Sequence, residues 1–199
     1  MLYKSALKMT DILSHYTNIS ESEKSIYVYG FELLFSTLLS MSSIFAVSLL
    51  CDNVSFSLFF IIFFYSLRLF CGGYHAKTYL RCFILTNLIF VSTIVLAKVV
   101  VLLNLKNIMP LLVLLAFCVI FHYAPIENGN HPYSIMKYKR FKIISRSLAV
   151  VYLITYLCTY TFIDSEIIVV NAAWSYVWVS LMIIIAKIKE KGGKLNAYS

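Results

Sequence analysis

Six long apolar runs cross the sequence, at 30–50, 54–70, 82–103, 109–123, 144–163 and 167–186. Most approach the ~20 residues that a helix needs to span a bilayer. The second and fourth are shorter, which predicts little tilt or partial re-entrance. Within each run the apolar positions are continuous, as in SLFFIIFFYSL from Ser57 to Leu67. Continuous runs predict helices, which satisfy their own backbone groups in lipid, and argue against the alternation of a β-barrel. Ahead of the first run, Leu2, Ala6, Leu7, Met9, Ile12 and Leu13 can form an apolar face opposite Lys4, Lys8 and Asp11. That pattern predicts an interfacial amphipathic helix within the first ~24 residues, either a surface anchor or a dock for an amphipathic partner. Asn18-Ile19-Ser20-Glu21-Ser22-Glu23 reads as a cap for the helix that follows. The expected fold class is all-α: a polytopic integral membrane protein of about six transmembrane helices behind an N-terminal interfacial helix.

Composition narrows the class further. The chain is 61% hydrophobic and 13% charged, with a mean hydropathy of +0.84. A soluble domain of 199 residues could not cover that much apolar surface. No cleavable signal peptide is evident, because residues 1–23 carry five charged side chains and lack a long apolar core. One membrane-embedded domain is expected over 1–199, with a leader at 1–28, a transmembrane bundle at 30–187 and a basic tail at 188–199.

Charge sets the predicted orientation. With the N-terminus inside, the inner segments hold Lys4, Lys8 and Lys24, then Arg68, Lys77 and Arg81. The next inner segment holds Lys137, Lys139, Arg140, Lys142 and Arg146, and the tail holds Lys187, Lys189, Lys191 and Lys194. Only Lys98 and Lys106 of the 17 Lys and Arg fall outside this set, while Asp52, Asp164 and Glu166 lie in outer loops. Such a split predicts a cell-membrane protein with both termini cytoplasmic. It also accounts for the net charge of +8 through orientation and contact with anionic membrane lipid. A nucleic-acid partner is not expected, since no basic helix stands free of the membrane. The stretch from Lys137 to Arg146 could additionally receive an acidic peptide.

One polar island separates the second and third runs: Gly72-Gly73-Tyr74-His75-Ala76-Lys77-Thr78-Tyr79-Leu80-Arg81-Cys82. Cys82 stands at the start of a predicted helix, beside Arg81, where helix amides and a cation favour the thiolate. His75 is the nearest candidate base. From these residues alone, a catalytic pair and a structural boundary cysteine both stay open. Cys51, Cys71, Cys118 and Cys158 lie in or at the ends of apolar runs and read as small buried hydrophobes. A disulfide framework is not expected, and no ligand spacing repeats as a metal site would require. Two residues seven apart on a straight helix lie ~10 Å apart along its axis, too far for a direct hydrogen bond. A bend after Gly72-Gly73, or a substrate-driven movement, would bring them together. Glu32, inside the first run, could pair with Arg68, and Glu127 could orient His75.

The run Arg68-Leu69-Phe70-Cys71-Gly72-Gly73-Tyr74-His75, with Cys82 seven positions on, resembles the accessory gene regulator B family. Tyr123-Ala124-Pro125-Ile126-Glu127-Asn128, with Pro132 soon after, shares in the resemblance, which covers essentially the whole chain. The chain departs from the family at Gly129-Asn130-His131, where a lysine-containing stretch is more usual. The resemblance implies a membrane cysteine endopeptidase of Gram-positive quorum sensing. Such a protein cuts the C-terminal part from a short AgrD-type precursor, leaves an acyl-enzyme thioester, and promotes cyclisation to a thiolactone or lactone. Carried over, Cys82 would be the nucleophile and His75 the base. Arg68, Gly72, Gly73 and Arg81 would support them, and Pro125, Glu127, Asn128, Lys137, Lys139 and Arg140 would be candidates for substrate contact. No metal or cofactor is implied, and a homodimer is left open. The rival class is a peptide exporter or other small transporter without proteolytic chemistry. Against it, no internal inverted repeat is evident and glycine- or proline-broken helices are scarce. A membrane scaffold, or a lipid-headgroup transferase, fits less well; the transferase would need clustered aspartates, and the chain has only Asp11, Asp52 and Asp164.

Overall fold

A computed structural model describes residues 2–17, 20–50, 54–73, 79–126 and 133–195. Helix α1, Leu2–Tyr16, precedes α2, Glu21–Leu50. The predicted cap is present: the Ser20 N–H and hydroxyl both donate to Glu23 Oε2, at 3.0 and 2.7 Å. Lys24 then pairs with Asp11 at 2.8 Å and ties α2 back to α1. The two helices approach over Ala6 and Thr10, which are completely buried. Ala6 offers no bulk, and the Thr10 hydroxyl turns back to the Ala6 carbonyl at 2.9 Å. Met9 and Ile12, expected on the same apolar face, stay exposed. The apolar side of α1 is thus divided between α2 and its surroundings.

Six segments are long and apolar enough to cross a membrane: Glu23–Leu50, Val54–Cys71, Tyr79–Leu102, Lys106–Tyr123, Ile135–Phe162 and Glu166–Glu190. All six predicted runs are recovered, and the protein is a multi-pass helical membrane protein. The fifth segment begins nine residues before the apolar run at 144. The stretch from Lys137 to Arg146, expected as a loop, is therefore the opening of helix α7, Ile135–Phe162. Ser134 caps it by accepting from the Lys137 N–H at 3.3 Å, and long basic side chains can continue a helix past the hydrocarbon. The fourth segment gains a turn of 3-10 helix, Lys106–Ile108, ahead of α6, Met109–Tyr123. With that turn its 18 residues reach spanning length.

The second segment is built from α3 (Val54–Phe60), a π-helical turn (Ile61–Tyr65) and α4 (Ser66–Cys71). Its buried face runs Phe56, Phe60, Phe64, then Leu67, Arg68 and Cys71, so the wide turn re-phases the helix just before the arginine. The Ile62 carbonyl in that turn accepts from the hydroxyls of Ser66 and of Tyr152 on α7. At the core Phe60 stacks on Phe64 at 4.7 Å and meets Phe90 of α5, Tyr79–Leu102, edge-on at 5.1 Å. Helix α8, Glu166–Leu195, is the hub. Its span is 61% buried, against 17–44% for the other five. Ala172 and Ala173 let neighbours approach closely, and Val169, Tyr176, Val179 and Ile183 fill the contacts with α3, α5, α6 and α7. At the acidic end, Lys106 pairs with Glu166 at 2.9 Å, which neutralises one of the two cations that break the charge asymmetry.

Candidate active site at the basic end of the bundle

Consecutive spans alternate in direction, so one end of the bundle gathers the end of α4, the start of α5, the end of α6 and the start of α7. Helix α4 stops at Gly72, whose N–H still donates to the Arg68 carbonyl at 3.1 Å. Gly72 has φ of 70° and Gly73 of 117°, angles that L side chains avoid. The expected bend is therefore built into the backbone. Beside it runs the segment after α6. The Ile126 N–H donates to the Cys71 carbonyl at 2.9 Å, and Gly72 and Ile126 form a parallel bridge. A Cβ on Gly72 would collide with the Ile126 carbonyl oxygen. The two sequence signatures, 55 or so residues apart in the chain, are thus hydrogen-bonded to each other. Ala124, Pro125 and Ile126 are all buried, and the Ala124–Pro125 peptide is cis. Pro125 belongs to this clasp and is not displayed for a substrate.

Cys82 lies in the first turn of α5 and is half-buried. Arg68 Nη2 points at its thiol from 4.0 Å. Arg68 is only 9% exposed, and its guanidinium lies 5.7 Å over the Phe64 ring and directs Nη1 at the Met182 sulfur. Met182 also lines Gly73, 3.5 Å from where a Cβ would stand. Arg81, expected as the cation beside the thiol, is exposed on another side of the helix. The cation that reaches Cys82 comes instead from the preceding span. The Tyr65 hydroxyl is buried as well, with Ser40, Arg68 and Cys82 as its polar neighbours. Chemically, this is a thiol facing a largely buried guanidinium, a cation placed to pair with an anion formed next to it.

One turn before Cys82, the Tyr79 hydroxyl donates to Glu32 Oε2 at 3.2 Å. Arg68 was one candidate partner for Glu32; the carboxylate instead accepts from Tyr79, while Arg68 faces sulfur. The carboxylate also lines a groove of about 380 Å³ between α1 and α2, with Tyr3, Leu7, Lys24, Ser25, Val28 and Tyr29.

The opening of α7 leans on α4 through Phe141, edge-on to Phe70 at 5.6 Å. Lys137 lies over Tyr133 at 4.9 Å and over Phe141 at 5.5 Å, and Lys137, Lys139 and Arg140 are all exposed. Arg146 stacks on Phe121 at 4.8 Å. Cys71 is buried, as expected of a small hydrophobe, but Cys118 and Cys158 are exposed on apolar outer surfaces. Among the described residues no group of His, Cys, Asp and Glu could hold a metal ion. His75, Glu127 and Asn128 lie outside the described residues.

Sequence reasoning missed Met182, Tyr65 and Tyr79. Tyr79 carried a usable signal, since it precedes Cys82 by one helical turn. Met182 carried none, being on the sixth span and a hundred positions away.

Fold and site together define a six-span helical membrane protein with a thiol–guanidinium centre at its basic end. The chain belongs to the accessory gene regulator B family, whose model matches residues 6–184. No curated protein and no solved structure matches it.

Proposed function

We propose that this protein is a membrane cysteine endopeptidase that processes a short AgrD-type precursor for quorum sensing. The observation that carries the reading is the Cys82 thiol, 4.0 Å from the buried Arg68 guanidinium, where the Gly72-Gly73 and Pro125-Ile126 signatures meet. Family membership and the cation-rich end support it. We take that end as cytoplasmic, on the positive-inside rule.

In the proposed reaction His75 accepts the Cys82 proton and the thiolate attacks the scissile carbonyl. Collapse of the tetrahedral intermediate breaks the C–N bond, and the imidazolium returns the proton to the departing amine. The N-terminal fragment stays on Cys82 as a thioester. An internal Cys or Ser of the fragment then attacks that carbonyl, closing the ring and regenerating the Cys82 thiol. Acyl-transfer potential is conserved, so closure needs no nucleotide. Because the backbone turns at Gly72-Gly73, the pair is not held to the ~10 Å separation of a straight helix. Arg68 holds the thiolate side of the exchange, and exposed Arg140 offers a contact for acidic residues of the precursor.

The test is acyl-enzyme capture on purified protein with precursor. Wild type should form a hydroxylamine-sensitive thioester, and Cys82→Ala should form none while inserting normally. Simultaneous replacement of Cys51, Cys71, Cys118 and Cys158 should spare it. Cleavage at the normal rate by Cys82→Ala would overturn the assignment, and absence of any acyl-enzyme in wild type would return the protein to the exporter class.

A further inference from the structure

A second groove, of about 390 Å³, opens on the first turns of α7, lined by Tyr133, Ile135, Tyr138, Lys139 and Lys142. Neither lysine has an acidic partner among the described residues. They stand three positions apart, on one side of the helix. Lys137, by contrast, is turned onto the rings of Tyr133 and Phe141.

The length of α7 sets the height of this groove. Its 28 residues make a rod of ~42 Å, against a hydrocarbon core of ~30 Å. The apolar run at 144–163 matches the core by itself. The excess of about eight residues therefore falls at 135–142, which is headgroup depth. Below the lysines the same face continues as Ile143, Val150 and Ile154, which are 67%, 39% and 55% exposed. Positive charge and phenol hydroxyls at headgroup depth, running into an exposed aliphatic ridge, match one ligand. An acidic peptide would satisfy the lysines and leave the ridge unexplained.

We propose that this groove binds an anionic glycerophospholipid, with its phosphate between Lys139 and Lys142 and an acyl chain along Ile143, Val150 and Ile154. The site is separate from Cys82 and independent of the proposed chemistry. Its role is to anchor the opening of α7, which packs on α4 through Phe141 and Phe70.

Native mass spectrometry of the detergent-purified full chain, titrated with phosphatidylglycerol or phosphatidylcholine, tests it. A lysine near an anionic headgroup favours binding about fivefold, so the pair should give phosphatidylglycerol about a thirtyfold preference. Lys139→Gln with Lys142→Gln should reduce the preference to about threefold or less. Lys139→Arg with Lys142→Arg should retain it, as should Lys187→Gln with Lys189→Gln on α8. Retention by the first pair overturns the site. So does equal loss in the α8 pair, which would mean a diffuse basic surface, and so does loss in the arginine pair. A hexaglutamate peptide that binds through the same lysines, with no lipid preference, would assign the groove to an acidic peptide and overturn the proposal.

Discussion

Three glycines give three different answers to one substitution, and the difference is calculable. At Gly72 a methyl group meets the Ile126 carbonyl oxygen well inside van der Waals contact, with the Ile126 carbonyl carbon and nitrogen behind it at 3.2 and 3.4 Å. Backbone cannot rotate away as a side chain could. Relief requires moving the Ala124–Ile126 segment, which breaks the 2.9 Å bond from Ile126 N–H to the Cys71 carbonyl. That bond contributes about 0.5–1.5 kcal/mol net, and a non-glycine residue at these angles costs about 1–3 kcal/mol. Gly72→Ala should therefore destabilise by about 2–4 kcal/mol. At Gly73 the methyl finds ordinary contact, 3.5 Å from Met182 Cβ, so only the conformational cost of about 1–3 kcal/mol applies. At Gly30, within α2, nothing lies within 4 Å, and Gly30→Ala should stabilise by about 0.5–1 kcal/mol. The midpoint of thermal unfolding in detergent, followed by near-UV circular dichroism of the α8 tryptophans, ranks the three. The order Gly30→Ala, wild type, Gly73→Ala, Gly72→Ala is expected. A Gly72→Ala protein as stable as wild type would falsify the clasp between the two signatures.

Three further outcomes bear on the site. His75→Ala should slow thioester formation by at least about a hundredfold at pH 7, and raising the pH towards 9 should partly restore it. The sign follows because hydroxide takes over from the missing base as the pH rises; a variant fully active at pH 7 would remove His75 from the base role. Arg68→Lys keeps the charge but loses the fork that spans Met182 and Cys82. Loss of a charge-assisted hydrogen bond is worth about 1.5–3 kcal/mol, so acyl-enzyme formation should fall about ten- to hundredfold; an unchanged rate would leave Arg68 a packing residue. For orientation, single cysteines introduced by Asn53→Cys, Thr78→Cys and Tyr138→Cys are labelled with an impermeant thiol reagent on intact cells. Only the first should react, and labelling of Thr78→Cys would reverse the topology.

Hydropathy made the spans readable because a membrane helix has no other way to hide its backbone. What it could not show is where a helix outlives its apolar run. The opening of α7 was hidden behind Lys137, Lys139, Arg140, Lys142 and Arg146, which end a hydropathy window but do not end a helix. The π turn at Ile61–Tyr65 has no hydropathic signature either, since five apolar residues look the same in either winding. At the site, the glycine bend was legible, because paired glycines before a polar island have few other uses. The partner of Cys82 was not. Arg81 was favoured by adjacency along the chain, yet neighbours on a helix diverge by about 100°. Arg68 reaches the thiol because the re-phased α4 turns it inward, and only packing reveals that.

The arrangement also bears on why ring closure would prevail over hydrolysis in the proposed chemistry. Cys82 is on the third span, Arg68 on the second, Met182 on the sixth, and the Ile126 clasp follows the fourth. A centre made from four spans exists only in the assembled bundle, where Cys82 is half-buried and its guanidinium partner nearly dry. Bulk water then reaches the thioester poorly, while the attacking thiol or hydroxyl is tethered to the same acyl group. Well-oriented tethering gives effective concentrations of up to about 10⁵–10⁸ M, against about 55 M for water. Even a flexible peptide that realises a small part of that advantage would close its ring faster than water could release it. The partition should therefore respond to burial and not only to the nucleophile. Met182→Ala opens the packing beside Arg68 and Gly73 without removing either reactive side chain. It should raise the ratio of linear acid to cyclic product whatever it does to the rate of the first cleavage step, read by mass spectrometry of the released fragment. An unchanged ratio would mean that tethering alone sets the outcome.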